Sequence, residues 1–125
     1  MHEAEDVLAF LDIHPIRAGH TLIIPRRHFA WFEDIPSSIA TEITTLAQRL
    51  AREMKAIYPV ERVALFYTGI HVRHAHAHVV PMHDRHDVTS ASYLQDGVEG
   101  FSMPPTPPAP ELADIAKRLK ARLAK

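Results

Sequence analysis

HAHAHVV, residues 74–80, sets an imidazole at every second position and then runs through two valines into Pro81. A β-strand repeats every two residues, so this spacing directs His74, His76 and His78 to one face and Ala75, Ala77 and Val79 to the other. Neighbouring imidazoles then stand about 6 to 7 Å apart along the strand. Ala75 and Ala77 are so small that whatever covers their face, helix or sheet, must approach closely.

Working outward, RHAHAHVVPM (73–82) is a strand, and GIHVR joins it to a preceding strand, VALFYT (63–68). Further back, VLAFL (7–11) and TLIIP (21–25) read as an antiparallel pair around DIHPIRAGH (12–20), which Pro15 and Gly19 break. Nine residues exceed the usual hairpin connection. Because the loop carries Asp12, His14, Arg17 and His20, it is a candidate binding element.

From Pro36 to about Tyr58 the period changes. Ile39, Ile43, Leu46, Leu50, Met54 and Ile57 recur every three or four residues, the stripe of a helix lying across a sheet. Ser37 or Ser38 is placed to cap it and Pro59 to stop it. Phe29, Trp31 and Phe32 are too closely spaced for such a stripe, and either plug one end of the core or meet a partner chain. Residues 83–103 lack periodicity and read as a surface loop. PPTPPAP (104–110) holds five prolines in seven residues, a rather rigid spacer. Residues 111–125 form a helix with Leu112, Ile115, Leu119 and Leu123 along one face, packed on the same domain or on a second copy.

Composition narrows the function. The chain has 125 residues, enough for one domain, and its charges nearly cancel, 14 Lys+Arg against 15 Asp+Glu. Neither a nucleic-acid polymer nor an anionic membrane is indicated. There is no cysteine, which removes disulfides, thiolate zinc sites and thiol nucleophiles. With no secretion signal at MHEAEDVLAF and no apolar run long enough to span a bilayer, a cytoplasmic protein is the expectation. Ten histidines, all within the first 86 residues, are the anomaly.

A backbone-paired structural role would explain any one histidine, but three on one strand face carry the desolvation cost of three imidazoles where aliphatics would serve. Two chemistries remain open. Neutral imidazoles bind zinc, although the outer pair is about 13 Å apart on an extended strand, so His71, His83 or His86 would have to join. Alternatively, a neutral imidazole attacks a phosphoryl centre, with its second nitrogen held by an acceptor and its neighbours donating to the phosphate oxygens and leaving group.

HAHAHVVP (74–81) resembles the signature of the histidine triad (HIT) family of nucleotide hydrolases and transferases, and VLAFLDIHPIRAGHTLIIPRRH (7–28) resembles the family's other block. The two stand in the family's order with one long helix between them, and the likeness runs from about residue 6 to residue 82. It implies an α+β fold: an antiparallel sheet of about four to five strands packed by one long helix, here with an added C-terminal helix. The HIT-like domain would span 1–103, followed by the spacer at 104–110 and the helix at 111–125.

The resemblance also implies a homodimer and a purine nucleotide or dinucleotide substrate attacked at its α-phosphorus, with no cofactor and no resident metal. His76 matches the nucleophile, His74 and His78 its hydrogen-bonding neighbours, and His20 the additional histidine behind them. Asp12 matches the carboxylate that accepts ribose hydroxyls, and Phe10 and Ile13 match the apolar walls around the base. Where many members have Gly-Gln-Ser/Thr-Val before the triad, this chain has Gly69-Ile70-His71-Val72; Ile70 cannot donate to phosphate, and His71 is the remaining polar candidate there. The expected activity is hydrolysis or transfer through a nucleotidyl-histidine, on substrates such as nucleoside phosphoramidates or dinucleoside polyphosphates. Competing readings are a metal-dependent hydrolase using the triad with His83 or His86, and a nucleotide-binding module of weak catalysis.

Overall fold

The computed structural model describes residues 1–69, 72–85, 87–88 and 106–124. Five antiparallel strands form one sheet: β1 (His2–Glu3), β2 (Val7–Leu11), β3 (Thr21–Pro25), β4 (Arg62–Tyr67) and β5 (Ala77–Met82), in the spatial order β1-β2-β3-β5-β4. Helix α1 (Ser37–Ile57) crosses one face, and α2 (Ala109–Leu123) packs on α1 and β2. This is the α+β architecture expected. β1 was not assigned from sequence; two residues pair with Ala9 and Leu8 and carry no periodic signal.

Register decides which side chains share a face. Phe10 pairs with Leu22, Leu22 with His78 and His78 with Phe66, so one row of side chains runs across four strands. The alternate residues Val7, Ala9, Ile23, Ala77 and Val79 are buried with the α1 stripe of Ile39, Ile43, Leu46, Leu50 and Met54. Ala77 is fully buried under that stripe, as its size predicts. Two sequence readings need correction. The ladder of β5 starts at Ala77 rather than residue 73; ahead of it the chain is pinned singly, with Ala75 N–H donating to Phe29 O at 2.7 Å. Neither serine caps α1 through its side chain. Pro36 is the N-cap, and Ser37 and Ser38 lie inside the first turn.

α2 begins at Ala109 with Pro110 in its first turn, two residues earlier than expected, and buries Ile115, Leu119 and Leu123. Arg49 of α1 donates to the carbonyl of Leu123, and Arg122 binds Glu53, so α2 is fastened along α1 of its own chain. Phe29 packs against the core, whereas Trp31 and Phe32 are exposed. No described helix is long and apolar enough to cross a membrane.

Candidate active site

Loop 12–20 closes on itself before it reaches β3. Asp12 N–H donates to His20 O and His20 N–H to Arg17 O, each at 3.0 Å. Gly19 makes that closure possible. Its φ is +94°, and a Cβ there would sit 2.7 Å from the ring of Tyr58, so glycine is required on both counts. The outcome is a buried His20 aimed at the triad.

The proton positions follow from one backbone bond. Ile16 N–H donates to His20 Nδ1 at 3.0 Å. An amide is always a donor, so His20 Nδ1 carries the lone pair and Nε2 the proton. His20 Nε2 lies 2.9 Å from His78 Nδ1, which therefore accepts and leaves the proton of His78 on Nε2. That last nitrogen is buried with no partner among the described residues. An unsatisfied buried donor costs about 1–3 kcal/mol and marks a place where an acceptor belongs.

His78 is held flat. Phe66 stacks on it with ring centroids 4.7 Å apart and planes within 9°. Burial first, then the neighbouring His20 and His76, pushes its pKa down to about 4, so the ring is neutral at pH 7. Burial likewise lowers His20, with His76 adding to the effect and Asp12, 3.6 Å away, opposing it.

The other two triad members use backbone acceptors. His76 Nδ1 lies 2.8 Å from His74 O; a carbonyl can only accept, so Nδ1 donates and Nε2 is the ring nitrogen this bond leaves unused. His74 Nε2 donates to Pro25 O at 2.9 Å. The His76 and His78 centroids are 4.8 Å apart. A partly exposed imidazole oriented through its Nδ1 thus stands beside the neutral ring of His78.

Asp12 Oδ1 accepts from His14 N–H at 2.8 Å. Phe10 and Ile13 are 38% and 58% exposed, apolar surface open to a ligand. The structure therefore gathers His20, Asp12, His76 and His78, and sets His74 behind them as an anchor. His71 lies outside the described residues, as do His86 and most of the loop at 83–103.

Phe66 and Ile16 escaped the sequence reading, and so did the pairing of Arg17, already a loop candidate, with Asp87. Phe66 is the fifth residue of an ordinary strand, and its place opposite His78 needs the register. Arg17 Nε and Nη2 donate to both oxygens of Asp87, at 2.9 and 2.8 Å, across 70 positions of chain. A cleft of about 320 Å³ opens between loop 12–20 and α2, with Asp12 and His20 in its lining but none of the triad.

A metal fits this arrangement poorly. Asp12, His20 and His78 offer ligand atoms within 4.8 Å of one another. An ion on His20 Nε2, however, would move that ring's proton to Nδ1, against the N–H of Ile16. His83, a candidate ligand from sequence, instead meets Tyr58 edge-on at 5.4 Å and is absent from that group.

Comparison with known proteins gives consistent matches. The HIT domain family model matches residues 1–85. An adenosine 5'-monophosphoramidase from Saccharomyces cerevisiae is 42% identical over 77 residues, 61% of this chain and 49% of that protein, so the chain covers about half of that relative's length. An uncharacterized HIT-like protein from Methanocaldococcus jannaschii is 30% identical over 88 residues, 67% of this chain and 68% of its own. Among solved structures, a zinc-bound histidine triad family protein from Mycobacterium smegmatis superposes with a TM-score of 0.69 at 26% identity, covering 98% of this chain and 81% of that one.

Proposed function

The chain belongs to the HIT domain family, and on that premise we propose that it is a nucleoside-phosphate hydrolase or nucleotidyl transferase acting through His76. The observation that carries the reading is the bond from His76 Nδ1 to His74 O. It fixes the ring's orientation and leaves Nε2 as the nitrogen available to substrate. The monophosphoramidase activity named for the yeast relative supports the same class of substrate.

In this reading Nε2 of His76 attacks the α-phosphorus, forming an N–P bond as the bond to the leaving amine, phosphate or nucleotide breaks. His78 Nε2–H, the donor left without a partner, stabilises a phosphoryl oxygen. Water then cleaves the N–P bond, releasing a nucleoside monophosphate and restoring His76. Asp12 accepts from the ribose hydroxyls, and Phe10 and Ile13 flank a purine. The homodimer expected from the resemblance would use exposed apolar surface on and near the β4 edge: Leu65 at 44%, Trp31 at 42% and Phe32 at 60% exposed.

The test is adduct trapping. Protein mixed with adenosine 5'-phosphoramidate and quenched in alkali should gain the mass of one adenylyl group, mapped to the peptide containing His76. Turnover with no adduct formed, or an adduct mapped to another residue, would refute the assignment.

A further inference from the structure

Asp87 is a buried carboxylate nine residues beyond His78, and both of its oxygens are hydrogen-bonded. Its Oδ2 accepts from Arg17 Nε and from the amides of His83 and Asp84, at 2.9, 2.9 and 3.0 Å, while Oδ1 accepts from Arg17 Nη2. Its side chain is 6% exposed and that of Arg17 45%. A bidentate pair of this kind fixes orientation as well as distance. One end is the chain leaving β5; the other is the tip of the loop that delivers His20.

We infer that Arg17 and Asp87 are positioning residues that hold loop 12–20 so that His20 keeps His78 in its donating tautomer. The path is continuous. The Arg17 side chain is tied to Asp87, its carbonyl accepts from His20 N–H, and the adjacent Ile16 amide fills His20 Nδ1. His20 Nε2–H then faces His78 Nδ1. Among the described residues neither is hydrogen-bonded to a triad side chain, so their influence passes through the loop. The inference rests on the proposed role of His78 as a phosphate donor, but the tautomers it concerns can be read without turnover.

Release of the clamp lets the tip swing and water reach His20. The groups facing the His20–His78 pair are Asp12 and His76, and with less burial the pair titrates nearer its ordinary range. The experiment uses histidine labelled with 15N in the full chain, comparing wild type with Asp87→Asn and Arg17→Lys across pH 4 to 8. Wild type should show His20 and His78 neutral and protonated on Nε2 above pH 6. Each variant should show mixed tautomers and a midpoint raised by about one pH unit. With a phosphoramidate substrate, kcat should fall about 10- to 100-fold while KM changes less than about twofold.

Folded variants with wild-type ring signals and midpoints overturn the inference, whatever their rates. If Asp87→Asn does not fold, Arg17→Lys, which keeps the charge and one bond, carries the same readings. Altered tautomers in a protein that neither turns over nor forms an adduct with phosphoramidates or dinucleoside polyphosphates would support the clamp while refuting the proposed activity.

Discussion

Ala77 and Val79 turn toward α1 and are 0% and 1% exposed; His76 and His78, alternating with them, turn the other way. Both sets share one backbone, with His76 just ahead of the ladder that begins at Ala77 and His78 within it. On the α1 side a side chain needs little more than the right volume, and its neighbours are other aliphatics. On the histidine side each ring has an assigned proton, and each assignment depends on a carbonyl, an amide or another ring. Packing tolerates approximate answers, while the hydrogen-bond chain has one solution.

The sharpest way to break the contrast is at His76. His76→Ala should retain the wild-type circular dichroism spectrum yet lose about 10⁴-fold in turnover on a phosphoramidate, measured by steady-state hydrolysis. On the opposite face, Ile23→Ala empties a fully buried position opposite Ala77. It should lose about 2–5 kcal/mol in urea unfolding, while kcat measured at low temperature on the folded protein stays within about twofold.

A pH series probes the two faces together. The folded-state pKa of His78 lies near 4, below its ordinary value of 6.5. Between those values the unfolded chain binds the proton that the folded ring refuses. Stability contributed by the neutral ring is therefore full above about pH 6.5 and declines as pH falls toward 4. His78→Phe should flatten that part of the unfolding profile. The smallest effect belongs to Phe66→Leu: removing the stack loses about 0.5–1.5 kcal/mol of aromatic contact. In kcat that corresponds to roughly two- to tenfold, with the acidic limb of the pH–rate profile moving upward.

How much of this was legible in the sequence depended on the range of the interaction. VLAFL and TLIIP gave β2 and β3 to the residue, because a strand's pattern is local, and the α1 stripe was correct for the same reason. His20, Asp12 and the triad could be named from spacing together with resemblance. Phe66 could not, since its meeting with His78 is set by register, and Asp87 looked like one polar residue in an unpatterned stretch. The serine cap failed because Pro36 already supplied an extended N-cap geometry at φ −56° and ψ 143°. Four expected residues of β5 were lost because a two-residue period describes side-chain direction and says nothing about where a neighbouring strand ends.

Gly19 has a consequence for how the chain can vary. Its left-handed backbone and the phenol ring of Tyr58 shut out every larger residue, while Ile13 and His14 nearby have no positive φ. A randomised library across positions 13 to 19, selected for folded protein, should return many alphabets at 13 and 14 and a single letter at 19. The bend behaves as a fixed hinge pin, free to carry new tips without losing the direction in which the chain leaves it.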